Sequence, residues 1–432
     1  MKVKVINIQS HNPPYEYLSP GEKPEHYWRK TDESWLGFWP QEWPDLLGEA
    51  VLKETDQYEW EVWQPDYRAD KIYSKTLETG VTHRLFPAEE KSYKLGISHL
   101  KGVFSKEIIS HLNRLQNNKI ILKFHSSYGF HAPFYNEILR IFGLKKRFPI
   151  FFVGHGMFKA PISEILDIHR PLTYLCLMVE HFRLKKLLQS VDIISEQAES
   201  ALNEVKKVYK GRIEKLVLGC DLDFWIPVSS SEAKQSIRRN LNIPQGKTVF
   251  LATGNFIPRK QFDKLLETFC SLINRDDFFL IIAGHGKQDY TEMLSFFAEP
   301  LVNQGKAILH PYVTGEELRN LYWASDLYVS FSTSEGSSDS IKKAMGCGLP
   351  VLSTPVGETS ELMRKYKTGG FVPVHNYKEW KKTIEKILDR GLPPPIDINI
   401  ARGAYHWPNA VKCFIKIYDE LVILYRKSYE TI

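Results

Sequence analysis

The sequence predicts an α/β fold built from two doubly wound domains. Its 432 residues are too many for one ordinary core and suit two domains of roughly 200 residues each. Hydrophobic residues make up 43% and charged residues 25%, the balance of a soluble globular protein. Short apolar runs alternate with helical periodicity from end to end, which is the pattern of a parallel sheet wrapped by helices.

The predicted strands form two series, one in each half of the chain. In the first half they are Val3–Ile8, Glu59–Trp63, Thr82–Phe86, Lys119–His125, Pro149–Val153, Asp192–Ser195 and Lys215–Leu218. In the second half they are Thr248–Ala252, Phe278–Ala283, Ala307–His310, Leu327–Ser332, Pro350–Ser353 and Gly370–Val374. Helical periodicity between the strands then predicts two consecutive β-α-β series, and therefore two Rossmann-like domains.

The domain boundary is predicted where a proline and a serine run precede a new helix that begins near Glu232. Residues 1–225 would form the first domain and residues 226–408 the second. Residues 409–432 read as a closing amphipathic helix. The segment Ser10–Trp43 is long and irregular, and long loops in compact domains are often functional.

The charge distribution leaves two interpretations open. A net charge of +6 does not by itself indicate a nucleic-acid partner, and none is expected. Basic residues interleaved with apolar ones are concentrated between Lys101 and Arg147, and again from Arg183 to Lys186. Such stretches either dock peripherally on an anionic membrane or form solvated helix faces with lysine stems over the core.

Cysteine usage and hydropathy predict a cytoplasmic protein. The five cysteines are odd in number, include no C-x-x-C pair and match no zinc-site spacing, so reduced thiols are the simplest account. The N-terminus turns polar too soon for a signal peptide, and no apolar run approaches the ~18–20 residues that span a bilayer.

Four segments of the second domain fall at the carboxyl ends of predicted strands, where open α/β sheets bind ligands. They are Thr253–Lys260, Gly284–Gly286, Tyr312–Thr314 and Ser332–Ser340. The last opens a predicted helix, Ile341–Cys347, with Ser338 as a good N-cap. The free N–H groups at that helix start would suit a phosphate.

Charged side chains in these segments suggest a chemistry. Lys260 and Arg259 would add full positive charge to a diphosphate, and Glu335 would accept hydrogen bonds from sugar hydroxyls. Sugar transfer from a diphosphate without a metal needs such fixed donors for the leaving group. Each segment alone favours an ordinary βα turn with a solvated lysine, whereas their joint placement favours a site.

Ordered motifs from about Gly211 to Met363 resemble those of retaining glycosyltransferases of the two-domain GT-B fold, in particular glycosyltransferase family 4. The motifs are Gly219–Phe224, Gly254…Lys260, Ala283–Gly286, Ala324–Val329, Ser334–Gly336, Ala344–Val351 and Val356–Glu361. The first domain resembles the family loosely, by strand order and by His155 after the strand Pro149–Val153. The resemblance implies two Rossmann-like domains that face an interdomain cleft, with the C-terminal helix, residues 409–432, folding back across to the first domain.

The resemblance also implies roles for individual residues. Lys260 would contact the donor diphosphate, Glu335 would bind the transferred sugar, and Tyr312 and Val313 would flank the base. His155 would reach the sugar from the opposite domain, or else be a histidine that caps a strand turn. The implied donor site comprises Gly254, Asn255, Arg259, Lys260, Gly284, His285, Gly286, Tyr312, Val313, Glu335, Gly336, Ser337, Ser338 and Lys343, with His155 and Glu335 as catalytic candidates.

The predicted reaction is metal-independent, cofactor-free transfer of a hexose from a UDP- or GDP-sugar to a saccharide or lipid-linked acceptor. The acceptor would lie on the first domain, with His125, His131 and the Ser10–Trp43 loop. Retention of the anomeric configuration is implied by the family. The sequence identifies neither the nucleotide, nor the sugar, nor the acceptor.

Two departures from the family pattern leave the donor site open to a second interpretation. Asn255 and Phe256 stand where the family usually has an arginine, and Lys343 stands at the second glutamate of the Glu-x7-Glu motif. Either Arg259 and Lys343 rebuild the anion site, or the donor site has decayed.

Other functions remain as alternatives. They are a catalytically silent GT-B module that binds a glycan or protein partner, and a sugar phosphorylase or epimerase on the same fold. A paired-carboxylate glycosidase lacks a partner for Glu335 that the sequence can place. A dehydrogenase is disfavoured because no glycine-rich fingerprint follows Val3–Ile8.

Overall fold

The structure is a computed structural model that describes residues 2–9, 43–66, 69–95, 98–115, 119–126, 133–143, 145, 147–154, 185–286, 288–310, 313 and 315–430. These residues fall into two compact units. The first comprises the described residues up to Leu218 together with those from Trp407 onward, and the second is Gly219–His406. His131, His155, Tyr312 and nearly all of Ser10–Trp43 lie outside the described residues.

The first unit is an α/β sheet with a separate hairpin. Its strands are β1 (Val3–Ile8), β2 (Tyr58–Asp66), β3 (Tyr73–Thr76), β4 (Thr82–Pro87), β5 (Glu89–Leu95), β6 (Ser98–Phe104), β7 (Ile120–Ser126), β8 (Ile150–Gly154), β9 (Ile193–Glu196) and β10 (Arg212–Lys215). Its helices are α1 (Trp43–Glu54), α2 (Lys106–Arg114), α3 (Pro133–Ile138, continued by a π-turn, Leu139–Gly143) and α4 (Glu199–Val208), with a C-terminal helix, Trp407–Glu430.

Eight of the described strands form the main sheet of this unit, in the order β10-β9-β8-β7-β1-β2-β4-β3. Neighbours run parallel except β3 and β4, and β5 pairs with β6 in an antiparallel hairpin. One face of the sheet packs on α3 through Phe124 and Phe152. The other packs on α1 and the C-terminal helix, whose Phe414, Tyr418 and Leu421 are fully buried.

A lysine lies inside this sheet. Lys123 on β7 is fully buried opposite Asn7 of β1, and its ammonium group lies 2.9 Å from the Asn7 Oδ1 and 5.7 Å from the Trp60 ring. Burial lowers the pKa of Lys123 well below the usual lysine value, because a desolvated ammonium is costly. Lys123 therefore does not contribute to a basic surface between Lys101 and Arg147.

Arg147 is also engaged within its own unit. Its guanidinium donates to the carbonyls of Asn113 and Leu115 at 2.6 and 2.9 Å, and it lies 5.4 Å from the Phe148 ring. Two of the basic residues that suggested a membrane-docking surface thus serve the packing of the first unit.

The second unit is a parallel sheet wrapped by helices. Its strands are β11 (Thr248–Phe256), β12 (Phe278–Gly286), β13 (Ala307–His310), β14 (Leu327–Ser330), β15 (Val351–Ser353) and β16 (Gly370–Phe371). Its helices are α5 (Ser231–Asn240), α6 (Phe262–Cys270), α7 (Gln288–Asn303), α8 (Gly315–Ala324), α9 (Asp339–Gly346), α10 (Gly357–Tyr366), α11 (Tyr377–Arg390) and α12 (Ile398–Tyr405). The strands of this described sheet follow the order β13-β12-β11-β14-β15-β16.

Several predicted element bounds are wrong. The strand predicted at Lys215–Leu218 lies earlier, as β10, and the antiparallel strands β3, β5 and β6 were not predicted. The junction between the units lies at Gly219 rather than Ile226. The Cys220 N–H donates to the Tyr405 carbonyl at 2.7 Å, which ties Cys220, a few residues before the predicted boundary, to the second unit.

Candidate functional site

The candidate site lies where the strand order of the second unit reverses. The chain runs outward from β11 through β12 to β13, then returns to β14 on the other side of β11 and continues to β16. Open α/β sheets bind ligands beyond the carboxyl ends of the two strands at such a switch point. Here those ends lead to Arg259 and Lys260 after β11, and to Ser332–Ser338 after β14.

The ends of β11 and β12 approach each other unusually closely. Gly254 and Asn255 pair with Gly284 and His285, so these residues lie in strands rather than in the predicted loops. A Cβ atom on Gly284 would stand 1.9 Å from the Gly254 carbonyl oxygen. Glycine is therefore needed at position 284, and the pairing carries β11 on to Phe256.

An ion-paired cluster occupies the switch point. The Lys260 Nζ lies 2.6 Å from Glu335 Oε1, and the Arg259 guanidinium lies 3.0 Å from Glu335 Oε2. The Ser332 hydroxyl donates to Glu335 Oε1 at 2.7 Å. We call Arg259, Lys260 and Glu335 the charged triad. The structure thus brings together the cations and the carboxylate that the sequence analysis selected from segments 75 residues apart.

Two members of the charged triad are largely withdrawn from solvent, whereas the third, Arg259, is 37% exposed. The Glu335 side chain is 6% exposed and that of Lys260 is 13% exposed. Burial alone would raise the pKa of Glu335, but Lys260 and Arg259 outweigh it and lower the pKa to about 2. Glu335 is therefore a carboxylate at neutral pH and can only accept hydrogen bonds.

A short 3₁₀ turn and the following loop position the triad. Residues Pro258–Lys260 form the turn, with proline at its start, and the Arg259 guanidinium also donates to the Ser334 carbonyl at 3.0 Å. The Thr333 N–H donates to the Arg259 carbonyl at 2.8 Å. These contacts join the loop that follows β11, residues 257–261, to the loop that follows β14, residues 331–338. We call them the β11 loop and the β14 loop.

The start of α9 lies beside the end of β11. The Ser340 hydroxyl donates to the Thr253 carbonyl at 3.4 Å, and the Tyr322 hydroxyl donates to the Ser340 carbonyl at 3.1 Å. Ser338 is the N-cap residue, as predicted, but its side chain makes no capping hydrogen bond. Its hydroxyl is buried and has no hydrogen-bond partner among the described residues.

Lys343 and Arg259 contact different carboxylates. Its Nζ lies 2.6 Å from Asp339 Oδ2, one helical turn earlier on α9, and 5.0 Å from the centre of the Trp225 ring. Arg259 instead contacts Glu335. The two cations that were predicted to rebuild one anion site are thus paired with different carboxylates.

The remaining predicted residues are placed unevenly. His285 lies on β12 opposite Asn255, and burial lowers its pKa below the usual histidine value. Val313 follows β13 at the carboxyl edge of the sheet. His125 lies near the end of β7, beside β1, at the switch point of the first unit.

Some residues around the site were not selected from the sequence. The Ser332 hydroxyl contacts Glu335, and Glu358 accepts a hydrogen bond from the Ser337 hydroxyl. A serine at a strand end carries little sequence signal, since serine is common in turns. Glu358 lies inside the motif Val356–Glu361, but its burial is a tertiary property.

Two features are absent from the described ranges. Their His, Cys, Asp and Glu side chains form no group of three or more that could hold a metal ion. Nor do those ranges contain a helix of the length and apolarity needed to cross a membrane.

The fold places the chain among the α/β proteins that have two units, each built on a largely parallel sheet. Residues 233–401, most of the second unit, match the family model "Glycosyl transferases group 1". D-inositol 3-phosphate glycosyltransferase of Salinispora arenicola is 28% identical over 228 residues, which are 50% of this chain and 51% of that protein. The chain therefore spans about half the length of the curated relatives it matches. These matches show that most of the second unit is similar to group 1 glycosyltransferases.

Solved structures share the whole fold. Sucrose-phosphate synthase from Thermosynechococcus elongatus has a TM-score of 0.63 and 16% identity, with 100% of both chains covered. Anabaena Alr3699/HepE, in complex with UDP and glucose, has a TM-score of 0.62 and 14% identity, covering 96% of this chain and 99% of that one. At these identities the likeness shows the fold alone. It confirms the predicted fold class, the GT-B type with two α/β domains that are each built on a largely parallel sheet.

Proposed function

We propose that this protein is a retaining glycosyltransferase that moves a hexose from a nucleoside-diphosphate sugar to an acceptor hydroxyl. The observation that carries the proposal is the charged triad at the switch point of the second unit. Two cations from the β11 loop meet a buried carboxylate from the β14 loop, beside the start of α9. This combination offers positive charge for a diphosphate and an acceptor for sugar hydroxyls in one place.

The proposed chemistry assigns each member of the triad a role. Lys260 and Arg259 would bind the diphosphate and stabilise the negative charge that develops on it as the bond to the anomeric carbon breaks. Glu335 would accept hydrogen bonds from the sugar and orient it. The acceptor oxygen forms the new bond on the same face, and its proton passes to the departing phosphate.

The chain's own cations would supply the charge stabilisation in this scheme, so we propose that no metal or cofactor is required. Transfer should therefore persist in EDTA. The acceptor would be a saccharide or a lipid-linked saccharide, held by the first unit. A UDP-sugar is the first donor to test, because HepE has also been solved with UDP-glucose.

The ion pairs within the triad bear on how a donor would bind. A diphosphate and Glu335 would compete for the same ammonium and guanidinium groups, which Glu335 holds at 2.6 and 3.0 Å. Donor binding would therefore exchange the carboxylate for phosphate oxygens and leave Glu335 available to the sugar. This exchange keeps both cations paired, but it removes two partners from a carboxylate that is 6% exposed, so hydrogen bonds from the sugar hydroxyls must offset that loss.

A thermal-shift screen against UDP, GDP and other nucleoside diphosphates tests the proposal first. Stabilisation by at least one of them is expected, because a ligand that binds the folded state raises its melting temperature. The variant Lys260→Met should lose that shift, whereas Lys210→Met, on the exposed surface of the first unit, should keep it. A wild-type chain stabilised by no nucleoside diphosphate would overturn the proposal.

Substitution Glu335→Gln separates binding from sugar recognition. The amide keeps the shape but removes the charge that competes with phosphate, so UDP should bind several-fold more tightly, while transfer falls by about 100-fold or more. Isothermal titration and a radiolabelled transfer assay measure the two effects. Weaker UDP binding by Glu335→Gln than by the wild type would contradict the competition.

A catalytically silent nucleotide- or glycan-binding module is the second candidate. Two departures from the resembled family favour it. Lys343, which pairs with Asp339, stands where that family has a glutamate, and Asn255 stands where that family usually has an arginine. Hydrolysis of the donor in the absence of an acceptor distinguishes the two. A chain that binds a nucleoside diphosphate but neither transfers nor hydrolyses any sugar conjugate is the silent module.

A further inference from the structure

A second buried carboxylate lies behind the loop that carries Glu335. Glu358, in the first turn of α10, has a side chain that is 3% exposed. It accepts hydrogen bonds from the Ser337 hydroxyl and, at 2.8 Å, from the Tyr405 hydroxyl of α12. The Nζ of Lys342, itself 2% exposed, lies 3.7 Å from Glu358 Oε1.

The backbone at this point is fastened to the same loop. The Glu358 N–H donates to the Gly336 carbonyl at 3.0 Å. The preceding residue, Gly357, has φ +75°, and a Cβ there would lie 2.9 Å from the Glu335 Cβ. The start of α10 therefore contacts the β14 loop at consecutive residues, Glu335, Gly336 and Ser337.

Stability alone does not account for a buried charge of this kind. Replacing a buried ion pair with packed apolar side chains is often neutral or stabilising, because desolvation of the charges offsets their attraction. What a carboxylate offers beyond packing is direction, since it accepts hydrogen bonds from several donors at fixed angles. Burial, followed by the Glu358 charge, raises the pKa of Tyr405 far above its usual value, so its hydroxyl remains a donor.

We propose that Glu358 is a positioning residue for Glu335. By holding Ser337 through its side chain and Gly336 through its backbone, Glu358 fixes the loop segment from which the Glu335 carboxylate projects. Lys342 and Tyr405 anchor Glu358 in turn to α9 and α12. The inference rests on the proposed function, because the quantity that Glu358 would control is recognition of the sugar by Glu335.

The decisive comparison is between a nucleotide with and without its sugar. We take UDP and UDP-glucose as probes and measure both dissociation constants by isothermal titration. The substitution Glu358→Gln removes the negative charge and replaces one acceptor oxygen by an NH₂ group, while the side-chain volume stays the same. The preference for UDP-glucose over UDP is expected to fall about tenfold, whereas the affinity for UDP, held by Lys260 and Arg259, changes less than about twofold.

Two further variants keep the test sharp. Ser337→Ala removes the hydroxyl that donates to Glu358 but leaves the charges of Glu358 and Lys342 in place. A smaller fall in the preference for UDP-glucose is expected, and this variant serves as the test if Glu358→Gln folds poorly. Glu316→Gln is the matched control, since its side chain is 80% exposed on α8 and lies away from the β14 loop in sequence. It should leave both constants unchanged.

The outcomes separate this inference from the function on which it rests. A wild type that binds UDP without any preference for UDP-glucose would overturn the sugar-binding role of Glu335, and the positioning role with it. A wild type with a clear preference that Glu358→Gln and Ser337→Ala both retain would overturn the positioning role alone. If Glu358→Gln lowers the melting temperature but keeps the preference for UDP-glucose over UDP, Glu358 has a purely structural role. That outcome also overturns the positioning role alone.

Discussion

Lys123 and Glu335 are both buried charged residues, and their surroundings give them opposite behaviour. Glu335 is held as a carboxylate by two cations, and its pKa falls to about 2. Lys123 contacts the side-chain carbonyl of Asn7 and lies 5.7 Å from the centre of the Trp60 ring, and burial lowers its pKa well below the usual value. The partner decides whether a buried group keeps its charge.

The pH dependence of stability should reveal Lys123. Above its lowered folded-state pKa, Lys123 has lost the proton that it still binds in the unfolded chain. The free energy of unfolding therefore rises with pH until the unfolded pKa near 10.4 is reached. Over that window the free energy of unfolding gains up to about 1.4 kcal/mol per pH unit. Lys123→Met should lack this gain.

Urea unfolding at pH 7, 8.5 and 10 measures the effect as the difference in slope between wild type and variant. Lys210→Met, which removes an exposed lysine of the same unit, should follow the wild-type slope. Parallel pH profiles for the wild type and Lys123→Met would mean that Lys123 is protonated in the folded state.

At the scale of elements, the paired ends of β11 and β12 set the position of the triad. The register Gly254 to Gly284 and Phe256 to Gly286 continues to the last residues before the Pro258–Lys260 turn. A Cβ on Gly286 would stand 2.2 Å from the Phe256 carbonyl oxygen. The close approach of the two backbones at Gly284 and Gly286 therefore determines where the turn that carries Arg259 and Lys260 begins.

Substitution Gly284→Ala should disturb this register. Its methyl group would meet the backbone oxygen of Gly254 at 1.9 Å, so the strands must separate, and we expect a loss of about 2–4 kcal/mol in the free energy of unfolding. Binding of the nucleoside diphosphate should weaken as well, because the triad loops move. Chemical denaturation and isothermal titration measure the two effects.

Gly403 provides the comparison for this substitution. It lies in α12, and a Cβ there would have no atom of the described residues within 4 Å. Gly403→Ala should therefore add about 0.5–1 kcal/mol of stability through helix propensity. Equal effects of the two alanine substitutions would rule out close strand approach as the cause.

At the scale of the whole molecule, the chain completes its first unit with its last helix. Phe414, Tyr418 and Leu421 of the C-terminal helix are fully buried against the sheet that begins at Val3. Residues from both ends of the chain thus share one core. The second unit, Gly219–His406, is inserted between them in sequence.

Disrupting that helix should destabilise the first unit selectively. Leu421→Asp places a charge in an apolar core and removes a buried leucine, at a cost of about 3 kcal/mol or more. Lys416→Asp changes an exposed residue of the same helix and should have little effect. Hydrogen exchange followed by mass spectrometry should show faster exchange at β1 and β8 and unchanged protection at β11. Equal acceleration in both units would contradict this prediction.

The sequence by itself determined the fold class and most of the second unit. Apolar runs such as Phe278–Ala283 and Leu327–Ser332 identify buried parallel strands, because strands covered on both faces have little polar alternation. Capping chemistry located Ser338 at the start of α9. Since carboxyl ends of parallel strands share one edge, Lys260 and Glu335 could be selected together.

Only the tertiary structure decided how these residues pair. Sequence spacing gives the strand end from which a side chain starts, but not its neighbours across the sheet. The contact of Glu335 with both cations, the pairing of Lys343 with Asp339, and the burial of Lys123 and Glu358 all depend on long-range packing. The antiparallel strands β3, β5 and β6 were not predicted either. Their residues are largely polar, so no hydrophobic pattern marks them as strands, and they form strands only because they pair with neighbouring strands.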